Sequence, residues 1–223
     1  MKRSVLCLQA GLVSYAEGLA LQKQARARVA SGQYDAVLLL LEHRPVITIG
    51  RGGGRDNLLA SIADLQGAGI ELVESDRGGN VTCHNPGQLV GYPIFNLNKW
   101  QEDVHWYVGQ VEEVLIRTLS ELGIIAGRKA RYTGVWVGNR KIAAIGVSVR
   151  HWITGHGFAL NVENDLNLFQ AIIPCGIVEF GVTSLQDQGV SIVLSDVAQC
   201  VARKFSEVFD AAFEIEARSE KAW

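Results

Sequence analysis

Apolar positions recur along the chain with two different periods, and the changes between them mark out its elements. Ser14-Tyr15-Ala16-Glu17 has the spacing of a capping box, and the Ala, Leu, Gln and Arg residues that follow favour a helix as far as Ser31-Gly32. From about 101 to 122, Val104, Tyr107, Val108, Val111, Val114, Leu115, Thr118 and Leu122 fall at three and four spacing, predicting a second helix that stops at Gly123. A third, about 195 to 212, carries Val197, Val201, Phe205, Val208 and Ala212 on one stripe. Cys200 falls on the same stripe and is assigned to the core.

Between these helices the period shortens. "AVLLLLEH" (36 to 43) and "VITIG" (46 to 50), broken at Pro45, read as buried strands. "ELVESD", "NVTCH", "QLVGYPIFNL", "GVWVGNRKIAAIGVSV" and "HGFALNV" read as further strands, with Gly138-Asn139 as a hairpin turn. The resulting order predicts an α+β fold, a mixed β-sheet with helices packed on it. No repeat, low-complexity tract or linker interrupts residues 1 to 223, so a single domain is expected.

Composition narrows the function by exclusion. A net charge of -2 names no partner, and neither nucleic acid nor membrane is expected. With 48% apolar residues and no uninterrupted apolar run of membrane-spanning length, the chain should be soluble. The N-terminal segment has no small-residue cleavage site, so no export signal is read and a cytoplasmic location is expected. Cys7, Cys83, Cys175 and Cys200 include no CxxC pair and are read as thiols. "GRGGGRDN" completes neither a phosphate loop nor a dinucleotide fingerprint, and "GVSVR" lacks the second glycine of a nucleophile elbow. Cys83-His84 are adjacent and His151 and His156 lie five apart, which is not zinc spacing. No metal or cofactor is expected.

Five features remain as candidate chemistry. In "IIPCGI", Pro174 and Gly176 frame Cys175 in a defined loop, which suits either a presented nucleophile or a small packed residue. "DRGGNVTCHNPGQLVGYP" sets Arg77, a Gly78-Gly79 turn, His84 and an Asn85-Pro86-Gly87 turn in one hairpin. Such a hairpin either brings N–H groups to a ligand or serves its own geometry. On the strand after Gly138, Lys141, Ala143, Ile145 and Val147 share a face. A lysine there is either snorkelling to water or desolvated in a pocket, and desolvation disfavours the charged amine. His156 sits between two glycines. Finally, Leu122 to Val162 contains no Asp or Glu but holds Arg128, Lys129, Arg131, Arg140, Lys141 and Arg150. That stretch would attract an acidic partner unless acids from elsewhere in the fold cover it.

Together these segments resemble one family. "HRPVITIG", "DNLL", "RGGNVTCHNPGQLVGYPIFNL", "GVWVGNRKIAAIGVSV", "HGFALNV" and "PCGI" are similar, in order, to the motifs of the lipoyl(octanoyl) transferases, over roughly 43 to 185. The resemblance implies the fold of the biotin and lipoate protein ligase superfamily, a mixed sheet lining a bowl. It implies transfer of an octanoyl group from octanoyl-acyl carrier protein to a lysine of lipoyl domains, the first step of endogenous protein lipoylation. Those domains belong to the E2 subunits of 2-oxoacid dehydrogenases and to the glycine cleavage H protein. In this reading Cys175 is the acyl-thioester nucleophile and Lys141 its acid/base partner. Arg77, Gly78, Gly79, His84 and Gly87 fall in one substrate-binding motif and Ala143, Ala144, Ile145 and Gly146 in a second. His156, Gly157, Phe158 and Ala159 make a third, and His43 matches a further pocket position. Where the family reads Tyr-His-Gly-Pro-Gly-Gln, this chain has Cys83-His84-Asn85-Pro86-Gly87-Gln88. The missing tyrosine bears on acyl-chain packing and places a second thiol in the motif.

An ATP-dependent lipoate-protein ligase would share the fold but adenylate a free acid and need no nucleophilic cysteine. A non-catalytic carrier-binding protein would keep the basic surface without acylation.

Overall fold

The computed structural model describes residues 3–173 and 180–217. Cys175, with the rest of 174–179, lies outside the described residues. Twelve strands and four α helices are described: β1 Arg3–Val13, α1 Tyr15–Ala30, β2 Ala36–His43, β3 Val46–Ile49, α2 Ile62–Gly67, β4 Glu71–Glu74, β5 Val81–His84 and β6 Gln88–Phe95. After these come α3 Val104–Glu121, β7 Gly127–Lys129, β8 Tyr132–Val137, β9 Arg140–Arg150, β10 Ile153–Asn161, β11 Gly181–Val182, α4 Leu194–Phe209 and β12 Ala211–Ala217. The main sheet runs β12-β1-β2-β6-β10-β9-β8-β7, with β11 paired to β9, and a small sheet runs β4-β3-β5. β12, β1 and β2 are mutually parallel and the strands from β2 to β7 are antiparallel, so the sheet is mixed as expected.

The continuous apolar run in β2 follows from burial on both faces. Leu38 and Leu40 point into a core shared with Tyr107, Leu115, Val201 and Phe205 of α3 and α4. Val37, Leu39 and Leu41 point the other way, against Leu21, Ala25 and Val29 of α1. Helix α1 begins as its sequence predicts: Ser14 Oγ accepts from Glu17 N–H, and Ser14 N–H donates to Glu17 Oε2 at 2.7 Å. Gly138-Asn139 closes the β8–β9 hairpin, with Val137 opposite Arg140 and Gly138 at φ +57.

Several elements depart from the sequence reading. Strand β1, whose Val5 to Leu8 are all buried, the short strands β7 and β11, strand β12 and helix α2 were not foreseen. The third helix ends at Phe209 rather than near 212, because Asp210 turns into the left-handed region at φ +45. The alanines after it favour helix intrinsically, but parallel pairing of Ala211 and Ala212 with Arg3 and Ser4 overrides that preference.

Candidate active site

Antiparallel pairing of β9 with β10 puts Gly146 opposite Gly157, Ile145 opposite Phe158 and Ala144 opposite Ala159. The loop between β4 and β5 crosses this pair: Gly78 N–H donates to Val147 O at 2.9 Å, and a β-carbon on Gly146 would stand 2.7 Å from Gly78 O. Only glycine permits that approach. Arg77 braces the loop from below. Its buried guanidinium donates to Thr48 Oγ1 and, at 2.7 Å, to Thr48 O, and Nη1 donates to Gly78 O.

The result is a narrow, mostly apolar slot. Arg77, Gly79, His84, Ala144, Ile145, Gly146, His156, Gly157, Phe158 and Ala159 all line it. So do Tyr15, Asn80, Val81, Thr82, Val90 and Tyr92, which sequence reasoning missed. Of these, Tyr92 carries the readiest signal, a lone phenol inside the apolar run of β6. Gly78 instead lines an adjoining cleft of about 770 Å³, together with Lys141, Glu112, Tyr132 and Thr133. Slot and cleft share Gly79, Asn80, Ile145 and Gly146. Ala143 points into the core under α3 and α4. Gly87 lies in the turn before β6, where its N–H donates to Glu42 Oε2 at 2.7 Å and its backbone packs on Asn164.

A wall of aromatic and imidazole rings backs the slot. His43 Nδ1 faces Val13 O at 3.3 Å and therefore carries the proton, leaving Nε2 to accept from Tyr92 O–H at 2.6 Å. Burial pulls the His43 pKa down to about 4. His84 donates from Nδ1 to Gln88 Oε1 at 2.7 Å, and burial pulls its pKa down to about 3. Both imidazoles are neutral at neutral pH, and burial also raises the Tyr15 and Tyr92 phenols above their ordinary range. His156 occupies φ +55, a left-handed conformation that costs a residue with a side chain roughly 1–2 kcal/mol. Two bonds hold it there: its N–H donates to Gln22 Oε1 at 2.8 Å, and Nε2 meets Asp76 Oδ1 at 2.6 Å. Burial lowers the His156 pKa, and the hydrogen bond from His156 holds the Asp76 carboxyl below its ordinary value.

Cys83 does not enter the slot. Strand period two places Thr82 and His84 in it and turns Cys83 into the small core with Ile47 and Phe169, fully buried, where desolvation raises its pKa. Position 83 therefore takes no part in slot packing, which Tyr15 and Tyr92 supply, and Cys83 is no exposed second thiol. The one-signed stretch is also partly covered. Arg128 pairs with Glu112 and Glu113 of α3, each at 3.0 Å.

Lys141 is 8% exposed, and its Nζ stands 4.9 Å from the centre of the Trp136 ring. Phe180, just beyond 174–179, packs edge-on against the same ring at 5.6 Å. Val182 then pairs with Lys141, and Thr183 N–H donates to Lys141 O at 3.0 Å. Among the described residues no group of His, Cys, Asp and Glu is placed to hold a metal ion.

Residues 14–206 match the lipoyl protein ligase A/B catalytic domain. The chain belongs to that family. It is 53% identical to an octanoyltransferase of Clostridium kluyveri over 199 residues, 89% of this chain and 85% of that protein. It is 47% identical to an octanoyltransferase of Geobacter metallireducens, covering 90% and 91% of the two chains. In fold it resembles lipoate-protein ligase A bound with ATP, with a TM-score of 0.76 at 19% identity over 99% of this chain and 91% of that one. The biotin protein ligase of Aquifex aeolicus is more distant, with a TM-score of 0.51 at 13% identity over 94% and 70%. The fold is that of the biotin and lipoate protein ligase superfamily.

Proposed function

We propose that this protein is an octanoyltransferase, an acyltransferase that moves an octanoyl group from acyl carrier protein to the target lysine of lipoyl domains through a thioester on Cys175. The observation that carries the reading is the likeness to octanoyltransferases at about half identity over nearly the whole chain. The geometry supports it in a specific way. The apolar floor Ala144, Ile145 and Gly146 runs along β9 toward Lys141, so an acyl chain in the slot would present its carbonyl in the lysine cleft. The chain leaving Cys175 is tied to that cleft by Phe180 on Trp136 and by Val182 on Lys141.

In the first half-reaction Lys141 Nζ takes the Cys175 proton and the thiolate attacks the carrier thioester carbonyl. The carbon–sulfur bond to the carrier breaks, and the departing thiolate recovers that proton from Lys141. In the second, the amine of the lipoyl-domain lysine attacks the Cys175 thioester and forms an amide. Nζ relays one amine proton to the departing Cys175 sulfur, so the enzyme returns unchanged. Neither step needs ATP or a metal. The acceptors are lipoyl-domain proteins, the acyl donor is carrier-borne, and the reaction is cytoplasmic.

Intact-mass analysis tests the proposal. Octanoyl-acyl carrier protein, without ATP, should add one octanoyl mass that hydroxylamine removes and that Cys175→Ala abolishes. Acylation that persists in Cys175→Ala, or that requires ATP, overturns it.

A further inference from the structure

Across the Gly78-Gly79 loop from the slot lies a recess of about 470 Å³ that the proposed chemistry leaves unused. Its charged lining is Arg26, Arg51, Arg150 and Asp76. The single carboxylate is committed: Oδ1 bonds His156, and Oδ2 stands 3.9 Å from Arg51, at the outer limit of an ion pair. Arg26 gives one Nη2 hydrogen to Ile153 O at 3.0 Å. Ser148 Oγ, also in the lining, is buried with no hydrogen-bond partner among the described residues. Gly155 faces Ser148 across the β9–β10 pair, and a β-carbon there would lie 2.9 Å from Ser148 Oγ and 3.1 Å from Arg26 Nη1. Hydroxyl and guanidinium therefore both approach the same glycine, and a side chain there would press on them.

A tetrahedral oxyanion answers both features. It accepts from an orphaned hydroxyl, and its oxygens match the donor fork of arginine. We propose that this recess binds a phosphate ester, the phosphodiester at the root of the donor's pantetheine arm. The inference rests on the octanoyl-transfer reading. The recess and the lysine cleft share Gly78 and Val147 as a common wall. An extended pantetheine arm, about a dozen bonds from phosphorus to sulfur, reaches roughly 16 Å. From a phosphate in the recess it would pass the shared wall and bring the thioester into the lysine cleft.

Two carrier-free donors test this, octanoyl-pantetheine and octanoyl-4′-phosphopantetheine, compared by kcat/KM for acylation of the enzyme. The phosphorylated donor should be preferred by roughly 10- to 100-fold, the range of one or two charge-assisted hydrogen bonds. In Ser148→Ala, Arg26→Gln, Arg51→Gln and Arg150→Gln that preference should fall toward one. Arg51 and Arg150 are exposed, so failure of Arg26→Gln to fold leaves the test intact. Inorganic phosphate should compete with the phosphorylated donor and spare the other. Equal kcat/KM for both donors overturns the phosphate site while leaving acyl transfer standing. Inhibition by phosphate without any donor preference assigns the recess to a free phosphorylated molecule and overturns the arm assignment. Failure of every donor, carrier-bound included, overturns octanoyl transfer itself.

Discussion

His43 and His84 make the fold sensitive to mild acid, and the size of the effect follows from their burial. Both imidazoles are held neutral, with pKa values of about 4 and about 3, whereas an unfolded histidine titrates near 6.5. Below about 6.5 the unfolded chain takes up protons that the folded chain refuses, so stability rises with pH and is lost as pH falls. At about pH 5 an unfolded histidine is about 97% protonated, which lowers stability by about 2 kcal/mol for each residue and about 4 kcal/mol for both, relative to about pH 7.5. His156, also depressed by burial, adds in the same direction. Asp76 and Glu113 have lowered carboxyl pKa values, but their stabilisation is lost only as pH falls below the ordinary carboxylate range, outside this window. Urea unfolding followed by tryptophan fluorescence reads the difference. With a urea slope of about 2–3 kcal/mol per molar, the midpoint should drop by about 1.5 M between about pH 7.5 and about pH 5. His43→Gln with His84→Asn removes both titrations while keeping side-chain donors. That double variant should be weaker at the higher pH, yet its midpoint should move by less than about 0.7 M. A wild-type shift under about 0.5 M, or an unchanged pH slope in the double variant, refutes the reasoning.

Gly91→Ala should lower stability by about 1–3 kcal/mol, because its β-carbon would enter the ring of Phe158, itself buried between β6 and the α4 core; an unchanged melting temperature would contradict this packing. Lys141→Ala should slow both half-reactions by roughly two to four orders of magnitude, and Lys141→Arg should not restore them, because a guanidinium stays protonated. Near-wild-type transfer by Lys141→Arg would leave Lys141 as a source of positive charge rather than a base.

What the sequence exposed was set by period and local chemistry. The α1 cap, the α3 stripe and the β8–β9 turn depend on residues within four positions of one another, and each stands where it was expected. Strands β1 and β12 depend on one another across the whole chain, so no local window reports them. In the site, the glycine-rich motifs announced the loop that crosses β9, because a close backbone approach leaves a compositional mark. Tyr15 left none, and Tyr92 only a lone phenol in an apolar run. They reach the slot from a helix start and from a strand whose other residues are ordinary core, and only the fold sets them beside His43 and His84. The acid-free stretch could not report its own partial cover for a related reason, since Glu112 and Glu113 come from the preceding helix to meet Arg128.

The placement of charge around the Gly78-Gly79 loop has a mechanical consequence. On the slot side the imidazoles are neutral, the phenols stay protonated and the Arg77 guanidinium is turned onto Thr48 and Gly78 O, so an alkyl chain entering there displaces water without stripping a hydrated charge. On the recess side Arg51 and Arg150 are exposed, Arg26 is half-buried, and together they suit an anion. The loop that divides these environments is tied to β9 by the bond from Gly78 N–H to Val147 O, midway between Gly146 and Ser148. In the proposed reaction an acyl tail in the slot and an anionic anchor in the recess would leave the reacting carbonyl little freedom to slide along the strand. Positioning of this kind lowers a barrier by removing motion before the chemistry begins. In the proposed reaction donor length would therefore be measured against β9, and a tail longer than the slot would push the carbonyl away from Lys141 rather than merely bind less well.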